Sequence, residues 1–465
     1  MKEDLIMTAE NKLGTMPINK LIWNMSLPII ASMLVQALYN IVDSIFVSQI
    51  SEQALTAVSL AFPAQQLMVA LASGTAVGIN ALAGRALGAG NRKRANEVAC
   101  NGLFLAVASS LVCCVLCLLL SNTFFSAQTK VQSIVDMGNN YLLIVGCCSM
   151  GIFVQITFER LLQSTGRSVL SMITQGTGAV INIILDPICI FALDMGVAGA
   201  ALATVIGQFC GAILAIILNH KYNKDIHLNF RGFRPNLRII GSIYAIGIPS
   251  VIMMAIGSVM TFLMNKILIT YHEAKETAAT AFGIYFKLNS FIFMPLFGMN
   301  NASVSILAYN FGARKRLRME ETIKRICVYA LCIMVAGTVI FQTLPHLLLR
   351  LFDASETLLA VGTPALRIIA VSFPIASICI AMGGAFQATG KSVYSMIVSF
   401  VRQLIFLIPA AFALSLMGQK VGNSNLVWWS YPLAEVVALL LTLFFYIKLR
   451  RKVLNHLPDN GETEI

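Results

Sequence analysis

Polar residues interrupt this chain at short, fairly regular intervals, and the stretches between them are apolar for about twenty residues at a time. From Gly102 to Leu120 there is no charge at all, and Pro432 to Ile447 carries only Glu435. A helix rises about 1.5 Å per residue, so a run near twenty residues crosses about 30 Å of hydrocarbon. The pattern predicts an all-α integral membrane protein with twelve spans. They fall at 25-49, 55-82, 97-120, 138-159, 169-192, 196-218, 240-270, 278-308, 322-345, 363-386, 393-416 and 428-448.

Composition narrows the class. The 465 residues are 57% hydrophobic and only 12% charged, against roughly a quarter charged in an ordinary soluble domain. The net charge of +12 does not imply nucleic acid, because the bases lie between apolar runs and form no face of a soluble domain. One set of loops holds Arg92, Lys93 and Arg94; Lys221, Lys224, Arg231, Arg234 and Arg238; Arg314, Lys315, Arg316 and Arg318; and Lys448, Arg450, Arg451 and Lys452. The alternate set holds little beyond Lys130, Lys275, Arg350 and Lys420. Loops rich in Lys and Arg stay on the cytoplasmic side, which places both termini there. No cleavable signal peptide is visible in the polar N-terminus. The eleven cysteines sit mostly in apolar segments, where they read as small packing residues.

The two halves repeat. Gln163-Ser-Thr-Gly166-Arg-Ser-Val-Leu-Ser-Met-Ile173 returns as Gln387-Ala-Thr-Gly390-Lys-Ser-Val-Tyr-Ser-Met-Ile397, with eight of eleven positions identical. The same shift carries Gly88-Ala89 onto Gly312-Ala313, each before a basic cluster. Pro28 in span 1 corresponds to Pro249 in span 7, and Pro187 in span 5 to Pro409 in span 11. Two six-span copies entering from the same side predict two pseudo-symmetric bundles, an arrangement suited to alternating access. The organisation read from this is a cytoplasmic N-terminal segment (1-24), an N-terminal six-helix lobe (25-219), an inter-lobe loop (220-239), a C-terminal six-helix lobe (240-450) and a cytoplasmic tail (451-465). Gly390-Lys391-Ser392 mimics the end of a P-loop, but position 385 is Ala where that motif needs glycine, so nucleotide binding is excluded. No HExxH, GxSxG or kinase-like set appears, and the chain is not expected to be an enzyme.

Leu27-Pro28, Gln36-Ala-Leu-Tyr39-Asn40-Ile-Val-Asp43, Asn182-Ile-Ile-Leu-Asp186-Pro187 and both Gln-x-Thr-Gly motifs resemble the MATE (multidrug and toxic compound extrusion) family, in its DinF/MepA-like branch. The resemblance spans all twelve predicted helices. It implies two six-helix lobes, no cofactor, and antiport of a cytoplasmic drug against inward H+ or Na+ in a bacterial inner membrane.

Asp43 and Asp186 are the acids of greatest interest. Each lies about eight residues before its span leaves the outer side, roughly 12 Å deep. Asn182 and Asp186, four apart, share a helix face. Thr204 falls at a comparable depth and Tyr141 somewhat nearer the surface. An ionised acid inside a membrane is costly, and two neighbouring acids cannot comfortably ionise together. Such a pair can take a proton outside and release it inside, or with amide and hydroxyl oxygens can hold Na+. The family resemblance assigns the same five positions to a cation-sensitive pocket. Pro187, directly after Asp186, and Pro28 in span 1 are candidate hinges, because a mid-helix proline removes a backbone hydrogen bond and kinks the span.

The C-terminal half offers no matching acid pair: Asp186 aligns with Ile408, and the Asp43 region with Met264 to Lys266. Some other MATE branches carry acids in spans 7 and 10 that this sequence lacks. Lys266 and Lys287 are expected to snorkel toward the interface. Arg402 is expected to pair with a buried acceptor or line the cleft, with Glu435 as a partner for some base or as a substrate-facing acid. Gln36, Tyr39, Asn40, Arg402 and Glu435 are the substrate-cleft candidates. Net acidity in a cleft favours cationic amphipathic drugs and dyes, and no nucleic acid. One chain with both lobes is sufficient as a monomer. The alternative is a lipid-linked oligosaccharide flippase of the same superfamily, which favours a cationic cavity and extra spans.

Overall fold

The computed structural model describes residues 11–230, 233–352 and 354–459. Residues 1–10 of the expected N-terminal segment, 460–465 of the expected tail, and Arg231 of the basic loop lie outside the described residues. Among the described residues the secondary structure is helical, without strands. The first half contains α1 (Lys12–Thr15), α2 (Ile18–Ser48), α3 (Glu52–Gly88), α4 (Arg92–Ser126), α5 (Gln132–Cys147), α6 (Met150–Ser164), α7 (Ser168–Pro187) and α8 (Gly196–Tyr222). The second contains α9 (Leu237–Tyr271), α10 (Lys275–Gly312), α11 (Arg316–Thr343), α12 (Pro345–Arg350), α13 (Glu356–Ala370), α14 (Phe373–Ala388), α15 (Ser392–Phe400), α16 (Ile408–Val421) and α17 (Ser430–Lys452).

Among the described residues, ten helices are long and apolar enough to cross a bilayer, and two bent pairs, each taken as one span, bring the number to twelve. The bent pairs coincide with two of the predicted spans. Spans 138-159 and 363-386 are not straight: α5 and α6 meet at 45°, and α13 and α14 at 48°. Pro374 at the start of α14 explains the second break, because it cannot donate into the preceding turn. The first break has no proline. Two further spans change pitch: α7 passes into a π turn at Ile188–Ala192, and α15 is joined to α16 by a π segment at Val401–Leu407.

Two compact units group these residues: Met1–Gly247 with Val304–Thr322 and Pro458–Ile465, and Ile248–Ser303 with Ile323–Leu457. In the first, large apolar side chains such as Leu111, Val115, Leu118, Leu119 and Leu120 of α4 are exposed, while the covered face of α3 is mostly small: Ala54, Ala57, Ala61, Ala72, Ala76 and Ala81. That inversion suits a lipid surround, where hydrophobicity does not distinguish inside from outside and close backbone approach drives helix association. All eleven cysteines are free thiols.

The repeated motifs form the same helix-ending turn. Gly166 (φ +81°) and Gly390 (φ +73°) adopt the left-handed conformation. Arg167 N–H reaches back to Leu162 O at 2.8 Å, and Lys391 N–H to Phe386 O at 2.7 Å. This closes the end of α6 and of α14 with the six-to-one bond that a left-handed residue permits. At the base-rich end of the first unit, the segment around α1 is pinned by side chains from distant helices. Leu13 is fully buried, and its carbonyl accepts from Asn310 Nδ2 (3.0 Å) and Arg318 Nη2 (3.2 Å). Met16 O also accepts from Arg318 Nη2 (2.8 Å), and Asn11 Nδ2 donates to Thr165 O (3.1 Å).

Candidate functional site

The acid cluster is built on α7, which packs against both α2 and α8. Asn182 and Asp186, one turn apart, both face inward and are buried. Asn182 spends both hydrogens of its amide: Nδ2 donates to Asp186 Oδ1 at 3.2 Å and to Thr204 Oγ1 of α8 at 3.3 Å. The second contact depends on two glycines facing each other. A Cβ at Gly207 would lie 2.6 Å from Gly178 O, and one at Gly178 would lie 2.9 Å from Gly207 O. Only bare backbone lets α7 and α8 come this close, as small residues do at interfaces in lipid.

Asp43 lies on α2, partly buried, near enough to Asp186 for their charges to act on each other. Its Oδ1 has no hydrogen-bond partner among the described residues, and neither do Asp186 Oδ2 and Asn182 Oδ1. All three unpartnered atoms are acceptors. A buried polar group without a partner costs about 1–3 kcal/mol, more when charged. The cluster therefore has a surplus of lone pairs and a deficit of positive charge, which a proton on a carboxylate or a small hard cation among oxygens would answer.

Sequence reasoning placed Tyr141 in this layer. The charges of Asp43 and Asp186 do reach it, but its hydroxyl accepts from Gln65 Nε2 of α3 at 3.2 Å and makes no direct bond to either acid. Gln65 was not foreseen, since a lone Gln in an apolar span gives no sequence signal. Of the cleft candidates on α2, Gln36 accepts from Gln175 Nε2 of α7 at 3.0 Å, Tyr39 is half-buried and close to both acids, and Asn40 is exposed. Pro28 lies inside α2, with its carbonyl taken by Ser32 Oγ at 2.9 Å. Pro187 closes α7 at the start of the π turn, one residue after Asp186. A second buried acid was also missed. Glu159 of α6 accepts from Gln155 Nε2 (3.0 Å) and Thr174 Oγ1 (3.2 Å). It is the last residue of the predicted span 138-159, where a charge gives no sign of burial.

Arg402 and Glu435 lie in the other unit, where they pair: Nη1 to Oε1 is 3.0 Å. Lys266 and Lys287 are both exposed, Lys287 with its ammonium 5.9 Å from the Phe352 ring centre.

The family model MatE matches residues 28–188 and 249–412, one segment in each half of the chain. The chain belongs to the MATE family. Curated relatives include the multidrug export protein MepA of Staphylococcus haemolyticus, 26% identical over 435 residues, which cover 93% of this chain and 94% of that protein. MepA of Staphylococcus aureus strain N315 is 26% identical over 438 residues, covering 94% and 95%. Among solved structures, an outward-facing multidrug resistance MATE transporter of the MOP superfamily superimposes with a TM-score of 0.88 at 24% identity, over 96% of this chain and 99% of that one. This MATE protein is thus a multi-pass membrane transporter, and its named relatives are exporters and not enzymes.

Proposed function

We propose that this protein exports cationic amphipathic drugs and dyes from a bacterium across its plasma membrane, in exchange for inward H+ or Na+. Its two six-helix halves alternate access, both termini are cytoplasmic, one chain suffices, and it takes no cofactor and no nucleic acid. The substrate class follows the multidrug export proteins it resembles. The observation that carries the coupling is the acceptor surplus around Asp186: three buried oxygens on Asp43, Asn182 and Asp186 face no donor, inside helices long enough to span a bilayer. A proton or Na+ entering that cluster carries one charge down the membrane potential, worth about 2.3 kcal/mol per 100 mV. The π turn after Pro187 supplies a soft joint next to the acid, where a change in charge can alter the bend.

The test is dye efflux from cells lacking their own pumps, comparing wild type with Asp43→Asn at matched surface expression while proton and sodium gradients are collapsed in turn. Export by wild type and not by the variant supports the reading, and the sensitive gradient names the ion. Equal export by both moves the coupling site elsewhere. No export of several chemically distinct dyes shifts the assignment toward lipid-linked oligosaccharide.

A further inference from the structure

The second unit contains a partly buried ion pair that the acid cluster does not explain. Arg402 and Glu435 are joined by one bond of 3.0 Å, with 20% and 12% of their side chains exposed. Arg402 Nε and Glu435 Oε2 have no hydrogen-bond partner among the described residues. A guanidinium offers five donors and a carboxylate about four acceptor positions, so this pair leaves most of its capacity unused. Desolvating two charges for one bond stabilises little, and an apolar pair of similar volume often does as well. Packing stability is a poor reason for such a pair.

The surroundings give a better one. Tyr431 sits one turn before Glu435 on α17, and its ring centre lies 5.8 Å from that of Tyr285, which feels the charges of both Glu435 and Arg402. Phe282 packs with both rings, 6.0 Å from Tyr285 and 6.3 Å from Tyr431. A carboxylate next to a cluster of aromatic rings is recognition chemistry for an organic cation. Guanidinium is itself a planar organic cation. Arg402 also rises from the π segment Val401–Leu407, a geometry with a looser backbone ladder that recurs at functional sites. Moving that bulge past Arg402 turns the residue by about 100°, one helical step.

We propose that Glu435, beside Tyr285 and the aromatic cluster that Tyr285 forms with Tyr431 and Phe282, is a binding site for the cationic group of an exported organic molecule, and that Arg402 is a tethered competitor occupying it between transport events. A guest cation displaces the guanidinium, and return of Arg402 expels the guest. This deepens the export reading and rests on it. It is independent of which ion drives the cycle.

The test is equilibrium binding of ethidium, tetraphenylphosphonium and rhodamine 6G to the purified full chain, which needs no gradient. It therefore stays readable if the antiport reading fails. Glu435→Gln is expected to weaken binding at least tenfold, about 1.4 kcal/mol. Arg402→Gln is expected to tighten it, because the competitor is gone, and the double variant should bind as weakly as Glu435→Gln. A structural pair predicts otherwise: both single variants weaken binding together with thermal stability, and the double variant recovers both. That pattern overturns the proposal, as does wild-type affinity in Glu435→Gln or failure of wild type to bind any of the three cations. If Glu435→Gln does not fold, Arg402→Gln decides alone: tighter binding supports the site, and unchanged or weaker binding overturns it.

Discussion

Gly207→Ala should uncouple the acid cluster without replacing any of its side chains. The added methyl would lie 2.6 Å from Gly178 O and 3.2 Å from Asn182 Cβ, where ordinary contact begins at 3.4 Å. Both neighbours are main chain or Cβ, so no flexible side chain can swing aside. Helices α7 and α8 must part by about 0.8 Å to relieve the closer clash. The Asn182–Thr204 bond, already 3.3 Å, would then stretch to about 4 Å, beyond hydrogen-bond reach. Overpacking costs about 1–3 kcal/mol, and the lost bond about 1 kcal/mol more. Asn182 would be freed to turn, and Asp186 would lose the fixed amide that now orients it. Gly176→Ala on α7 is the control, since its Cβ would meet nothing within 4 Å and helix propensity favours the change by about 1 kcal/mol. The assays are thermal unfolding of the purified protein and gradient-driven dye efflux at matched expression. Gly207→Ala should lower the unfolding midpoint and efflux, with Gly176→Ala at or above wild type in both. If Gly207→Ala matches wild type in both assays, the close approach of α7 and α8 does not set the geometry of the cluster.

Other consequences can be checked at single residues. Gly166→Ala forces a side chain into φ +81° and should cost about 1–2 kcal/mol of stability, whereas Arg314→Gly relieves φ +56° and should raise stability by a similar amount; opposite shifts in unfolding midpoint are the expected result. His272, in the turn between α9 and α10, is held below its ordinary pKa of 6.5 by burial, with the Glu273 charge opposing; its Nδ1 accepts from Ala274 N–H at 3.1 Å and so must be unprotonated. The unfolded chain then binds the proton more readily, so the His272 contribution is present above about pH 6.5 and is lost as pH falls through the folded value. His272→Asn should flatten the fall in unfolding midpoint between pH 7 and pH 5, and equal slopes would remove His272 from the account. Arg318→Gln removes charge-assisted bonds to Leu13 O and Met16 O, each worth about 1.5–3 kcal/mol, and should speed tryptic cleavage after Lys12 about tenfold or more; an unchanged rate means that Arg318 is not what holds the α1 segment.

The sequence by itself determined those features of this protein that depend on what each residue is and how far it lies from its neighbours along one helix. Twelve apolar runs imply twelve spans because hydrocarbon thickness sets a helix length. The duplicated Gln-x-Thr-Gly motif announced two copies of one unit, and its glycines are left-handed in both. The four-residue step from Asn182 to Asp186 put them on one face before any fold was known, and an acid inside an apolar run singled out Asp43 and Asp186 directly. Tertiary structure decided whatever depends on how helices meet. Thr204 reaches Asn182 only because Gly178 and Gly207 let two helices touch. Tyr141 turned to Gln65 on α3, and Arg402, within a π segment, found Glu435 thirty-three residues away. The breaks within spans 4 and 10 and the buried Glu159 belong to the same group. Periodicity records which face of a helix is apolar, but in lipid that face need not be the interior. The partners of a polar side chain are therefore set by the packing of neighbouring helices, which no local pattern encodes.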